Sequence, residues 1–163
     1  MARLAEKIGF IQKENRHVFL CGNGGSAANA AHIANDLLYL HSKEKGIKAT
    51  ALTANQAVLT CLVNDFGYEN IFSFQLKQLG SAGDLLIVFS GSGNSLNILK
   101  AIDTAKKKGI FTSAILGFDG GKCLSLVDIP MYFPVNDMQI AEDLHIIVGH
   151  MLMQWLKKGM LDG

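Results

Sequence analysis

The chain has 163 residues, a length suited to one domain, with 49% hydrophobic residues, 18% charged residues and a formal net charge of +1. With no basic run, aromatic ladder, signal-like N-terminus or membrane span, this balance argues against nucleic-acid binding, an anionic membrane surface and secretion. The apolar excess points to surface buried against other subunits. Cys21, Cys61 and Cys123 are odd in number and scattered among apolar neighbours, which predicts reduced, mostly buried thiols in the cytoplasm.

Leu4, Ile8, Phe10 and Ile11 mark a first helix, weakened by Gly9. Residues 17–21 form a first predicted strand, followed by Gly22-Asn23-Gly24-Gly25-Ser26, where Ser26 is placed to cap a second helix running to about Tyr39. A polar stretch over 41–46 leads to a second, less apolar strand over 47–52. Two helices, 54–63 and 69–79, are predicted on either side of a break at Asn64-Asp65-Phe66-Gly67. Gly83-Asp84 turns into a third strand over 85–89, then Ser90-Gly91-Ser92-Gly93-Asn94-Ser95 and a helix over 95–108 that Gly109 ends. A fourth strand covers 111–116, a fifth 129–133, and a long, largely apolar helix 138–156. Strands alternating with helices predict a three-layer, doubly wound α/β fold: a five-stranded parallel sheet with helices on both faces, in one domain over 1–163.

Two of these strands run directly into loops of Gly, Ser and Asn that open helices. Glycine lets backbone N–H groups approach an anion, serine adds hydroxyl donors, and a helix N-terminus supplies positive partial charge. One such loop is an ordinary strand-to-helix turn; two, with three serines in the second, point to a small phosphorylated ligand. No Lys follows the glycines, which argues against a nucleoside triphosphatase. Gly22-Asn23-Gly24, with Ala27 in the third place, starts a dinucleotide fingerprint, but Asp36 comes too early to hold a ribose.

His32 and Asp36, four residues apart, share a helix face, and Glu142 and His150 lie two turns apart within about 80° of one another. Imidazole and carboxylate on apolar helices need partners, either each other across helices, solvent, or a reacting ligand. His145 is a further candidate. His17 and His41 read as structural or solvent-exposed, and Asp84 and Asp119 as turn residues. Trp155, Met138, Met151 and Met153 read as core or interface packing.

Cys21-Gly22-Asn23-Gly24-Gly25-Ser26, Asn64-Asp65-Phe66-Gly67, the serine loop, Gly117-Phe118-Asp119-Gly120-Gly121-Lys122, and Glu142-Asp143-Leu144-His145 with His150 occur in that order. Together they resemble the sugar isomerase (SIS) domain and, within it, the phosphoheptose isomerases, from about His17 to Leu156. The resemblance implies conversion of sedoheptulose 7-phosphate to glycero-manno-heptose 7-phosphate for lipopolysaccharide or capsule. It implies a homotetramer with active sites between subunits, and zinc in the site. Asn23, Gly24 and Gly25 would line the sugar. Ser26 would join Ser90, Gly91, Ser92 and Ser95 of the serine loop at the phosphate, and Asn64 and Asp65 would contact substrate. His32 and Asp36 fall on a metal-binding His and the catalytic Glu. Glu142 falls on a metal- and substrate-binding Gln, and His150 on the second catalytic position, also a metal ligand.

The departures are specific. Asp36 stands for Glu and shortens the reach by one methylene, roughly 1.5 Å, and a misplacement of that order can cost about 100-fold in rate. Glu142 stands for Gln and offers a compensating carboxylate, so that His32, Asp36, Glu142 and His150 form the expected zinc set. Gly91 replaces a Thr, and the N-terminal helix region is shortened. Ketose–aldose interconversion needs a base beside the carbonyl and an acid at oxygen, here Asp36 or Glu142 with His150. The alternatives are a non-catalytic SIS module that binds a sugar phosphate or the bacterial replication initiator, and an isomerase of another sugar phosphate.

Overall fold

A computed structural model describes residues 1–40 and 46–161 of the chain; His41 and most of the predicted polar stretch lie outside the described residues. Five strands form one parallel sheet in the order β2-β1-β3-β4-β5. They are β1 (Val18–Gly22), β2 (Ala49–Ala51), β3 (Leu85–Ser90), β4 (Phe111–Leu116) and β5 (Ile129–Tyr132). This is the doubly wound arrangement expected from the alternation of elements. The order reverses between β1 and β3, and ligands of open α/β sheets bind beyond the strand ends at such a reversal. The two Gly/Ser loops leave the sheet at that point.

Every residue of β1 and β3 is buried, as helices on both faces require. Successive side chains alternate between the faces. Val18, Leu20, Leu85, Ile87 and Phe89 pack under α1 (Ala2–Lys13), α2 (Gly25–Tyr39) and α7 (Met138–Leu161). Phe19, Cys21, Leu86 and Val88 pack under α3 (Gln56–Phe66), α4 (Ile71–Leu79), α5 (Leu96–Lys107) and the single turn α6 (Cys123–Leu126). Cys21 and Cys123 are buried and Cys61 is exposed; all three are free thiols. Burial pushes Cys123 up to about 11 and Cys21 higher still.

Several boundaries differ from expectation for identifiable reasons. The edge strand β2 is shorter than 47–52 because the Ile47 N–H is drawn to the end of α2, donating to the Leu37 carbonyl at 2.9 Å. Helix α3 starts late because the Asn55 side chain accepts from the Val58 N–H at 3.1 Å and caps it. It also runs through Asn64, Asp65 and Phe66 to stop at Gly67, so Asn64 and Asp65 belong to its last turn and not to a break. Phe10, one of the apolar residues that marked α1, is 48% exposed, while Leu4, Ile8 and Ile11 are buried. Helix α7 extends past Leu156 to Leu161, and α6 had no signal in the periodicity. Asp84 and Asp119 do serve turns: Asp84 accepts from the Ser81 and His17 N–H groups, and Asp119 from that of Gly121. His17 is structural, its Nε2 lying 2.8 Å from Thr50 Oγ1. Among the described residues no helix is long and apolar enough to cross a membrane.

Candidate active site

Helices α2 and α7 run side by side in the same direction, so their side chains meet in successive levels. At the first level, next to the Asn23-Gly24-Gly25 loop, the Ser26 N–H donates to Glu142 Oε1 at 3.1 Å. Asn29 Nδ2 donates to the Glu142 carbonyl at 2.8 Å. The N-cap of α2 is Gly24, with no side-chain cap of its own, which corrects the expectation that Ser26 caps the helix. A carboxylate from α7 does so instead, drawn by unpaired N–H groups and the positive helix end. A Cβ on Gly25 would overlap that carboxylate, so any larger residue there would require the Glu142 side chain to shift. The Ser26 hydroxyl, expected at the phosphate, is buried and lies 3.4 Å from Nδ1 of His145.

Farther along the pair, His32, Asp36 and His150 converge. Nε2 of His32 lies 3.0 Å from Nε2 of His150 and 3.4 Å from Asp36 Oδ2, and His150 Nε2 lies 3.8 Å from the same oxygen. Both histidines are half exposed and Asp36 is less so. Donors each about 2.1 Å from one tetrahedral ion sit about 3.4 Å apart, so these separations fit a metal site with an open position. Glu142 is a correction to the expected four-residue set. Among the described residues the cluster is His32, Asp36 and His150. Glu142 stands about 12 Å along the α7 axis from His150 and is held by the α2 terminus. A small cleft beside the cluster is lined by Asp36, His150, Met153, Gln154 and Lys157.

The serine loop is folded on itself and braced from behind. Ser90 Oγ accepts from the Gly93 N–H at 3.1 Å and Ser92 Oγ from the Asn94 N–H at 3.3 Å, leaving each hydroxyl hydrogen to donate outward. The loop after β4 grips it: the Cys123 N–H donates to the Gly93 carbonyl and the Lys122 N–H to Asn94 Oδ1, both at 3.1 Å. This bracing was not read from the sequence, although Gly117–Lys122 stood out as a motif. Gly91 is buried, and a Cβ there would come within 2.7 Å of Met138 Sδ. The space of the Thr implied by resemblance is therefore taken by α7. Ser95 is half-buried at the start of α5, while Asn64 and Asp65 are exposed and bond to each other at 2.7 Å. The link from their segment to the site is Tyr68, whose hydroxyl reaches Asn23.

His145 lies under this machinery, 1% exposed and edge-on to Phe89. Loss of solvation lowers it to about 4, outweighing a backbone hydrogen bond at Ile115. The folded chain therefore binds fewer protons than the unfolded one between that value and about 6.5. Stability from this residue is complete above about pH 6.5 and lost as pH falls toward 4, by on the order of 3 kcal/mol. The urea midpoint should drop between pH 7 and 4.5, and drop less in His145→Gln. His17, also lowered by burial, contributes in the same direction.

Known proteins share this sequence and fold. The SIS domain family's sequence profile matches residues 1–117. The phosphoheptose isomerase of Sulfurimonas denitrificans is 40% identical over 149 residues, covering 91% of this chain and 76% of that protein. The one from Clostridium acetobutylicum is 42% identical over 147 residues, covering 90% and 75%. The solved phosphoheptose isomerase of Neisseria gonorrhoeae superposes with a TM-score of 0.91 at 31% identity, covering 96% of this chain and 84% of that one. The chain belongs to the SIS domain family and, within it, to the phosphoheptose isomerases.

Proposed function

We propose that this chain, one SIS domain over its 163 residues, interconverts sedoheptulose 7-phosphate and D-glycero-D-manno-heptose 7-phosphate in the cytoplasm, for lipopolysaccharide or capsule heptose. The observation that carries this reading is the convergence of His32, Asp36 and His150 on the helix whose first turn forms one of the two anion loops. Ser90, Ser92 and Ser95 hold the phosphate, with the Gly91 backbone between them. Asn23, Gly24 and Gly25 line the sugar, Asn64 and Asp65 contact it, and Glu142 stands at the same rim, against Gly25 and Ser26. Binding energy at the phosphate, remote from C1 and C2, thereby positions the reacting carbons.

Asp36 takes the proton beside the carbonyl and His150 Nε2 supplies one to oxygen, through an enediol. His32, Asp36 and His150 also suit zinc, with two imidazoles, one carboxylate and an open position. A bound zinc ion would polarise the sugar oxygens. His150 Nε2 holds a proton or an ion at any moment, not both.

Asp36 lies about 16 Å along α2 from Gly25, more than an extended heptose 7-phosphate spans. Residues of a second copy are therefore expected to complete each site, in a homotetramer. Exposed Leu38, Tyr39, Ile147, Met151 and Trp155, on the two helices that carry the cluster, support such packing.

Incubation with ketose 6- and 7-phosphates, before and after chelation and with zinc restored, tests this by NMR of the aldose. The expected result is turnover of sedoheptulose 7-phosphate that chelation removes and zinc returns. Turnover that survives chelation assigns His150 to proton transfer alone. Sugar-phosphate binding without turnover favours a non-catalytic module.

A further inference from the structure

The backbone N–H of Ile98 donates to Asn97 Oδ1 at 2.9 Å. A backbone N–H is always a donor, so this bond determines which end of the Asn97 amide is oxygen. The Asn97 nitrogen then faces Asn23 and donates to its Oδ1 at 2.8 Å, while Asn23 Nδ2 donates back to Asn97 Oδ1 at 3.0 Å. The Tyr68 hydroxyl lies 2.8 Å from the same Asn23 Oδ1 and donates to it. Asn23 Oδ1 thus accepts two bonds, its full capacity, and one hydrogen on Nδ2 stays uncommitted. Asn97 is 1% exposed, so water does not compete for the pair. Asn23 is half-buried and leads into the exposed Gly24 and Gly25.

These three residues come from three separate segments: the loop after β1, the start of α5 behind the serine loop, and the turn that follows Asn64–Gly67. We propose that Asn97 and Tyr68 are positioning residues that lock the Asn23 amide, so that Asn23 meets the sugar as a donor. It presents N–H to a hydroxyl or carbonyl oxygen and never its own oxygen to a hydroxyl hydrogen. This rests on the isomerase reading, in which Asn23 lines the sugar.

Tyr68 is 53% exposed, so Tyr68→Phe keeps the fold while removing one of the three bonds that hold the Asn23 amide. The test is a double-mutant cycle of Tyr68→Phe and Asn23→Ala, read as the Kd for sedoheptulose 7-phosphate by calorimetry and as KM and kcat. Tyr68→Phe should weaken binding and raise KM about five-fold, the worth of one neutral hydrogen bond, with kcat nearly unchanged. In the Asn23→Ala background it should add no further loss. An equal loss in both backgrounds, or none in either, overturns the proposal. So does an Asn23 side-chain amide NMR resonance that Tyr68→Phe leaves in place. Binding that follows the cycle without turnover sinks the isomerase reading and leaves the positioning intact; absence of any sugar-phosphate binding overturns both.

Discussion

His150→Ala is expected to lower turnover of sedoheptulose 7-phosphate by about 100- to 10,000-fold, the range lost with a general acid or base. Whether Nε2 carries a proton or an ion, alanine supplies neither, and two of the three converging donors remain. The side chain is 53% exposed, at the surface beside His32 and Asp36, so the fold should survive with a change within about 0.5 kcal/mol. Sugar-phosphate affinity should be largely kept, because the serine loop and the Asn23 rim lie at the other end of the helix pair. The decisive measurements are kcat, the thermal midpoint and ligand Kd on the same preparation. Full activity would remove His150 from the chemistry. His145, five residues earlier on α7, should behave oppositely, since its burial makes it a stability residue.

The second large effect is expected from Gly93→Ala. Gly93 has φ +63°, and a Cβ there would overlap the backbone carbonyl of Gly120. The left-handed conformation costs an L-residue roughly 1–2 kcal/mol. The overlap adds to this because both partners are main chain in a loop pinned by Cys123 and Lys122. A total loss of about 2–4 kcal/mol follows, with the serine loop pushed off its brace and sugar-phosphate affinity falling with it. Gly9→Ala in α1 is the matched control. A Cβ there meets nothing within 4 Å, so relief of helix entropy should stabilise the chain by about 0.5–1 kcal/mol. The two urea midpoints should therefore move in opposite directions. A serine loop that binds sugar phosphate unchanged in Gly93→Ala would show that the bracing loop plays no part in shaping the site.

Glu142 shows how one substitution redistributes roles. Resemblance places it in the metal set, at a position that the resemblance gives to Gln. As a carboxylate it has a stronger attraction for the positive end of α2, and there it is found. Gly25 leaves the space for it and Asn29 anchors the backbone below it. The compensation expected from the Asp36 and Glu142 pair is thus not a shared ligand set within one chain.

What the sequence determined by itself was the local grammar. Continuous apolar runs marked the buried strands, and Gly/Ser loops marked the two strand-to-helix turns at the reversal of the sheet order. Spacing of four put His32 and Asp36 on one face, where they are found 3.4 Å apart. These are one-dimensional properties, set by side-chain period and backbone allowance within a few residues. Only the tertiary structure decided which distant groups meet. Helix packing brought His150 to His32 but left Glu142 two turns short, and set Asn97 and Tyr68 around Asn23. It also placed the loop after β4 against the serines. Such contacts join residues tens to more than a hundred positions apart, so no local period encodes them. They follow from the order of strands in the sheet and the level at which neighbouring helices cross it.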